Sequence, residues 1–161
     1  MAERWAAILG PALQAGGSAI IELRGTLGAG KTTFTRHLLR ALGVQGRVKS
    51  PSYAVVEPHE APGMAIWHFD FYRFNDPQEW EDAGFRDLFA SPGLKLVEWP
   101  EQAAGLLPAA DVALSITPQD EHRRALHLQA FTPQGERWLP ALCAAPPSGS
   151  SACLKTATPR P

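Results

Sequence analysis

The feature that most restricts the fold of this chain is a glycine-rich segment, Gly25 to Thr32, which reads Gly-Thr-Leu-Gly-Ala-Gly-Lys-Thr. It matches the pattern G-x-x-x-x-G-K-S/T, whose structural context is a turn from a strand into a helix. Residues 18–24 are mostly apolar and predict a short buried strand, and residues 32–42 carry apolar side chains at helical spacing. A strand, a tight loop and a helix in this order predict an α/β fold of the P-loop NTPase class.

The residue types of this loop suit the binding of phosphate groups. Glycines allow the backbone to wind tightly and turn its N–H groups inward as a nest for anions. The helix that follows directs its partly positive N-terminus to the same place. Lys31 can reach the β- and γ-phosphates, and the Thr32 hydroxyl can bind Mg²⁺, so we predict that the loop binds ATP with Mg²⁺. The candidate nucleotide-binding residues here are Gly25, Gly28, Ala29, Gly30, Lys31, Thr32 and Thr33.

Two carboxylates end predicted strands. Asp70 follows the apolar run 64–69, and Glu98 follows the apolar run 94–97. Because α/β sheets place ligands at the carboxyl ends of their strands, both acids are expected near the loop, where they can hold Mg²⁺ or orient an attacking water. The pattern leaves open which acid contacts the metal, and an ordinary strand end remains the alternative for each. The candidate catalytic residues are Asp70, Glu98 and Lys31, and the candidate Mg²⁺ ligands are Thr32, Glu98 and Asp70.

Several other side chains near these motifs have a functional and a structural interpretation. Residues 50–53 carry hydroxyl groups after the loop helix, where switch proteins often sense the γ-phosphate. This makes Ser52 a candidate nucleotide contact, with an ordinary Ser-Pro turn as the alternative. Trp67 and His68 lie inside a predicted strand, where packing is the expected role. Trp99 directly follows the second acid and is either a packing residue or an interaction anchor.

Composition limits the partners and the location of the protein. The chain has 161 residues, which fits one domain, and a formal net charge of −1. Proteins that hold nucleic acid by themselves usually carry a basic stripe, so any role with nucleic acid is expected to be indirect. The N-terminal residues lack a signal-peptide pattern, and no apolar run reaches the ~18 residues of a membrane span. Cys143 and Cys153 have no metal-site or CxxC spacing, and we expect a cytoplasmic protein with reduced thiols.

Periodicity predicts the remaining elements. Helices are predicted over residues 2–15 and 77–89, a short strand over 53–56, and two closing strands over 112–117 and 125–131. Asp76 is expected to cap the second of these helices. From residue 140 the composition changes to proline, serine and alanine, which predicts a flexible tail. We therefore predict a P-loop ATPase domain at 1–139, with a mostly parallel central sheet flanked by helices and closed by antiparallel strands, followed by a flexible tail at 140–161.

Five segments occur in an order that resembles one protein family. They are Gly28-Ala29-Gly30-Lys31-Thr32-Thr33, Ser50-Pro51-Ser52-Tyr53, His68-Phe69-Asp70-Phe71-Tyr72-Arg73, Gly84-Phe85-Arg86-Asp87 and Val97-Glu98-Trp99-Pro100-Glu101. The set is similar to TsaE, the family of small bacterial ATPases needed to make threonylcarbamoyladenosine in tRNA, and the similarity extends from about residue 6 to residue 117. The chain departs from the family pattern at Thr26, usually aspartate, at Ser52, usually threonine, and at Ala54, often threonine.

The resemblance implies a specific activity and specific partners. Members of the family bind ATP and Mg²⁺, hydrolyse ATP slowly and work with two proteins, TsaB and TsaD. TsaD transfers the threonylcarbamoyl group to the adenosine next to the anticodon of tRNA. The ATPase docks on TsaD and resets it, so this chain would contact tRNA only through the complex. By position, Thr32 and Glu98 would bind Mg²⁺, Asp70 would be the Walker B-type acid, residues 50–53 would form the switch loop, and Trp99 would lie near the nucleotide or the partner surface.

Three other classes of function are alternatives to an ATPase that drives a partner enzyme. A small-molecule kinase usually has an arginine-rich lid near the loop, whereas Arg123 and Arg124 fall in a late strand region. A GTP switch typically carries an N-K-x-D motif for guanine, which the sequence lacks. A non-hydrolysing module, in which ATP only orders a partner interface, would use the same residues as a slow ATPase and remains open.

Overall fold

The computed structural model describes residues 1–49, 51 and 54–144. The predicted contact Ser52 lies outside these residues. In chain order the elements are α1 (Ala2–Gln14), β1 (Ser18–Arg24), α2 (Lys31–Ala41), β2 (Val56–Ala61), β3 (Met64–Asp70), α3 (Pro77–Asp82), α4 (Phe85–Ala90), β4 (Gly93–Glu98), a 3₁₀ helix (Pro100–Ala103), β5 (Val112–Pro118), β6 (Arg124–Ala130) and α5 (Pro133–Cys143).

The strands form one six-stranded sheet in the order β2-β3-β4-β1-β5-β6. The four inner strands run parallel, and β2 and β6 pair antiparallel at the two edges. This confirms the predicted mostly parallel sheet with antiparallel closing strands. The carboxyl ends of β3, β4 and β1 therefore lie side by side, with Asp70 opposite Glu98 and Leu23 opposite Glu98 in the two registers. The phosphate loop leaves β1 at this edge.

The sheet is buried on both faces by two separate hydrophobic clusters. Alternation along β1 directs Ile21 and Leu23 into a cluster with α1, α2 and α5, while Ile20 packs against the other cluster. Aromatic side chains dominate that second cluster, where Phe69 lies 4.6 Å from Phe89 between ring centroids. A parallel strand that is covered on both faces usually has a nearly continuous run of apolar residues. β4 follows this pattern at Leu94, Leu96 and Val97. The loop thus begins from a strand that is fixed on both sides.

The structure corrects some predicted boundaries. The predicted helix 77–89 is two short helices separated by Gly84, whose φ of 66° lies in the left-handed region. Asp76 caps the first of them by accepting a hydrogen bond from the backbone N–H of Gln78. The strand predicted from residue 53 begins at Val56 instead. Within the part of the chain that the structure describes, no helix has both the length and the hydropathy that are needed to cross a bilayer.

α5 crosses the predicted domain boundary at residue 139 and continues to Cys143. The helix starts at Pro133, where Thr132 caps it by accepting from the N–H of Gly135. Leu142, three residues past the predicted boundary, is only 4% exposed and belongs to the cluster under α1. Burial of this apolar side chain favours the helix despite the proline-rich composition that follows. The rest of the predicted tail, from residue 145, lies outside the described residues.

Candidate functional site

The phosphate loop has the backbone geometry that its glycines predict. Gly25 has a φ of 144°, and a Cβ added there would lie 2.4 Å from the carbonyl oxygen of Ile116 in β5. Gly30 has a φ of 112° at the residue before α2. Both positions therefore need glycine, the first for close packing and the second for its left-handed backbone. α2 begins at the next residue, so its partly positive N-terminus faces the loop.

The ammonium group of Lys31 lies within this loop. Its Nζ donates hydrogen bonds to the carbonyl oxygens of Gly25 and Thr26, at 2.6 and 3.0 Å. It also lies 3.9 Å from the centroid of the Trp99 ring, within cation–π range. Burial lowers the pKa of Lys31 below its usual value of 10.5, while nearby carboxylates, Glu98 foremost, raise it. The lysine is thus held in place as a compact positive charge beside the acids.

The carboxylate of Glu98 joins the end of β4 to the first turn of α2. The side chain of Glu98 is 2% exposed, and its Oε2 accepts a hydrogen bond from Thr32 Oγ1 at 3.0 Å. Its Oε1 lies 2.8 Å from His68 Nε2 and 3.5 Å from Thr35 Oγ1. The first of these contacts brings together two residues that the sequence predicted as Mg²⁺ ligands, Thr32 and Glu98.

Asp70 lies at the same edge in a more open position. It is half-buried, and its Oδ1 accepts a hydrogen bond from the backbone N–H of Tyr72 at 3.0 Å. A cavity of about 250 Å³ connects the predicted site residues. Its lining includes Lys31, Thr32, Asp70, Glu98 and Trp99. The structure therefore brings together all three candidate catalytic residues and all three candidate metal ligands.

A second and larger cavity, of about 930 Å³, opens on the other side of the loop. The two cavities share Gly28, Gly30 and Thr33 as lining residues. The wall opposite the loop is formed by the start of α1, by α2 and by the hairpin between β5 and β6. This volume falls in the range of small-molecule sites, so a ligand held by the loop has room on both sides of it.

Arg124 lies against the loop, which corrects the expectation that Arg123 and Arg124 are too distant to serve it. Its Nε donates to the carbonyl oxygen of Ala29 at 3.3 Å, and its side chain lines the larger cavity. The antiparallel hairpin explains this position, because Arg124 pairs with Pro118 at the carboxyl end of β5. Arg123 instead pairs with Asp120 on the surface, at 2.5 Å.

His68 makes a contact at the site that the sequence patterns did not indicate, and Trp99 lines the smaller cavity. His68 was expected to pack in the core, yet its Nε2 contacts Glu98. The available signal was alternation, because residues two apart on a strand share a face and His68 is two residues before Asp70. Trp99 is the one non-glycine residue with positive φ, 56°, within 1–49, 51 and 54–144. That backbone brings its half-buried ring against Lys31 and, at 4.9 Å, against Tyr72.

The donor set at the smaller cavity fits Mg²⁺ bound together with a nucleotide. A hydroxyl and two carboxylates supply oxygen atoms, which Mg²⁺ prefers, and such sites commonly combine one or two carboxylates with substrate phosphates. The described part of the chain holds no group of three or more His, Cys, Asp or Glu side chains able to bind a metal without such help. Thr32 and Glu98, in direct contact, and Asp70 beside them would be the protein ligands.

Comparisons with known proteins identify the family. The model of the family "Threonylcarbamoyl adenosine biosynthesis protein TsaE" matches residues 1–126. The TsaE protein of Haemophilus influenzae is 44% identical over 122 residues, covering 76% of this chain and 77% of that protein. The TsaE protein of Bacillus subtilis is 33% identical, covering 74% and 72%.

A solved structure extends the similarity to the fold. The crystal structure of Bacillus subtilis YdiB superposes with a TM-score of 0.58 at 26% identity, covering 88% of this chain and 86% of that one. This chain therefore belongs to the TsaE family and has a P-loop fold.

Proposed function

We propose that this protein binds ATP with Mg²⁺, hydrolyses it slowly, and serves the biosynthesis of threonylcarbamoyladenosine in tRNA. One observation carries the proposal: Lys31, Thr32, Asp70 and Glu98 line one cavity against a loop of phosphate-binding geometry. Membership of the TsaE family supports the pathway. The convergence of a lysine, a hydroxyl and two acids supports nucleotide chemistry at this place.

Each residue has a role that follows from its position. The loop N–H groups and the N-terminus of α2 would bind the phosphates, and Lys31 would move from the carbonyl oxygens it now contacts to the β- and γ-phosphates. Thr32 and Glu98 would hold Mg²⁺, which when bound neutralises charge on the phosphates. Asp70 is the more open acid and would orient the attacking water. Its position between solvent and the cavity supports that division of roles.

The larger cavity is the proposed site of the base and ribose. It adjoins the loop through Gly28, Gly30 and Thr33, so a nucleoside there would extend from phosphates held by the loop. Phe34 and His37 of α2 and Arg124 of β6 line it with apolar, polar and cationic groups. Ser52, predicted to sense the γ-phosphate, stays a proposed contact.

TsaD and TsaB are the proposed protein partners, and tRNA would be met only through them, in the cytoplasm. Leu27 at the tip of the loop is 73% exposed and Tyr72 at the rim of the smaller cavity is 47% exposed. Large apolar side chains beside a nucleotide site suit a partner that responds to the bound nucleotide. The formal net charge of −1 supports an indirect role with tRNA.

A small-molecule kinase is the second candidate, and Arg124 is the observation in its favour. The arginine beside the loop and the 930 Å³ cavity could hold a phosphate acceptor. The product of the reaction separates the two functions: an ATPase releases inorganic phosphate, whereas a kinase transfers it to an added metabolite.

The experiment that tests the proposal combines the purified chain with TsaB, TsaD, tRNA, ATP and an activated donor of the threonylcarbamoyl group. We expect multiple-turnover modification of tRNA that requires this chain, and release of inorganic phosphate that requires Mg²⁺. The Lys31→Ala variant is the matched control for the site. Equal modification with and without the chain would refute the pathway, and failure to bind ATP would refute the proposed site.

A further inference from the structure

We propose that His68 is a positioning residue: its buried imidazole fixes the Glu98 carboxylate against Thr32 and thereby sets how strongly Mg²⁺ enhances nucleotide binding. The inference rests on the proposed function, in which Glu98 and Thr32 hold the metal. His68 itself would contact neither metal nor nucleotide.

The contacts of Glu98 carry the argument. Both of its carboxylate oxygens are engaged, Oε1 by His68 Nε2 at 2.8 Å and Oε2 by Thr32 Oγ1 at 3.0 Å. In the ionised form that would bind Mg²⁺, a carboxylate only accepts hydrogen bonds, so the imidazole would donate from Nε2. Thr35 Oγ1 also contacts Oε1 but lies farther away, at 3.5 Å, so His68 is the closer partner of that oxygen. A carboxylate held at both oxygens has one favoured orientation, and loss of the closer partner weakens that restraint. Since Glu98 is 2% exposed, little water can replace the lost donor.

Strand register explains why a histidine reaches this carboxylate. β3 and β4 are parallel neighbours, with His68 opposite Leu96 and Asp70 opposite Glu98. His68 and Glu98 are thus diagonal neighbours on one face of the sheet, close enough for a long side chain to span. The same face packs against α2, which brings Thr32 to the other oxygen.

Packing alone does not account for the histidine. His68 is 0% exposed, and neighbouring inward positions of the strand hold Met64 and Ile66. Burying an imidazole costs free energy unless its polar atoms are paired, and among the described residues Nδ1 has no hydrogen-bond partner. A leucine would fill such a position without that cost. The polar benefit of His68 therefore comes from Nε2 and its contact with Glu98. Partners of this kind commonly change metal affinity 10–100-fold in proteins.

Two amide variants separate positioning from packing. In His68→Gln the amide nitrogen can take the place of Nε2, whereas in His68→Asn the shorter side chain cannot reach Glu98. The affinity for ADP would be measured by calorimetry in Mg²⁺ and again in EDTA, with thermal unfolding of each apo variant as a check on folding. His127→Leu, at an exposed position of β6 outside both cavities, is the control for removing a histidine.

We expect His68→Asn to reduce the enhancement of ADP affinity by Mg²⁺ about tenfold or more, with the affinity in EDTA changed less than about twofold. His68→Gln should restore most of the enhancement, and His127→Leu should match the wild type. Equal enhancement in His68→Asn and wild type would overturn the inference, as would unfolding of both amide variants, which assigns His68 to packing. If the wild type itself shows no Mg²⁺-dependent binding, the proposed function fails instead.

Discussion

Lys95 lies at the start of β4 with its ammonium group in the core. Replacing Lys95 with methionine should remove a pH-dependent contribution to the free energy of unfolding. The side chain is 0% exposed. Its Nζ donates to Ser18 Oγ at 3.0 Å and to the carbonyl oxygen of Ser91, and it lies 5.1 Å from the centroid of the Trp67 ring. Burial lowers the pKa of Lys95 from its usual value of 10.5 to about 8.

The sign of the effect follows from these two values. Below about pH 8 the lysine is protonated in both states, and the folded state carries the full cost of burying the charge. Between about pH 8 and pH 10.5 the folded state releases the proton while the unfolded chain keeps it, so this group raises the free energy of unfolding as pH rises. At about 1.4 kcal/mol per pH unit, the rise is at most about 3 kcal/mol.

Urea unfolding followed by tryptophan fluorescence would measure this contribution. We expect the free energy of unfolding of Lys95→Met, relative to wild type, to fall by up to about 3 kcal/mol from about pH 7 to about pH 10.5. Other titrating groups are common to both proteins and cancel in the difference. Lys49→Met, at an exposed lysine, is the control for loss of a positive charge. A difference between wild type and Lys95→Met that stays constant over this range would refute the reasoning.

Four further predictions concern the site and the limits of the folded domain. Lys31→Ala should weaken ATP binding measured with a fluorescent analogue by tenfold or more, and normal affinity would contradict the site assignment. Asp70→Asn and Glu98→Gln should each lower phosphate release about a hundredfold, and unchanged rates in both would remove their catalytic role. Ending the chain at residue 139 removes buried Leu142 and should cost about 2 kcal/mol or more of stability in urea unfolding, whereas ending it at 144 should leave ATP hydrolysis unchanged. The isolated protein should bind tRNA weakly in a gel-shift assay, and a tight, salt-sensitive complex would contradict this.

The proposed site combines a preformed loop with side chains whose present partners differ from those a nucleotide would supply. Lys31 is bound to two carbonyl oxygens, and Thr32 is bound to Glu98. Binding a nucleotide would exchange these contacts for contacts with phosphate and metal. Lys31, Thr32 and Glu98 already line the cavity in which this exchange would occur. Positioning by neighbours such as His68 and Trp99 limits the rearrangement that remains.

Sequence alone determined the parts of this site that depend on near neighbours. The conformation of the loop is dictated by glycines, a lysine and a hydroxyl at fixed spacing. Backbone sterics and the start of a helix depend only on residues close together in the chain, so a short motif is enough to predict the loop. Alternating and apolar runs likewise identified β3 and β4, and the rule for strand ends placed Asp70 and Glu98 at the site. The order of motifs indicated the family, which the comparisons confirmed.

Only the tertiary structure decided which distant side chains meet. The contact of Glu98 with Thr32 spans 66 residues, and that of Arg124 with Ala29 spans 95. Both depend on strand order, β3-β4-β1 for the first and the β5–β6 hairpin for the second, which local patterns do not encode. The same reason explains the end of α5: residues from Pro140 onward resemble a linker in sequence, whereas burial of Leu139 and Leu142 against the rest of the core favours a helix that continues to Cys143.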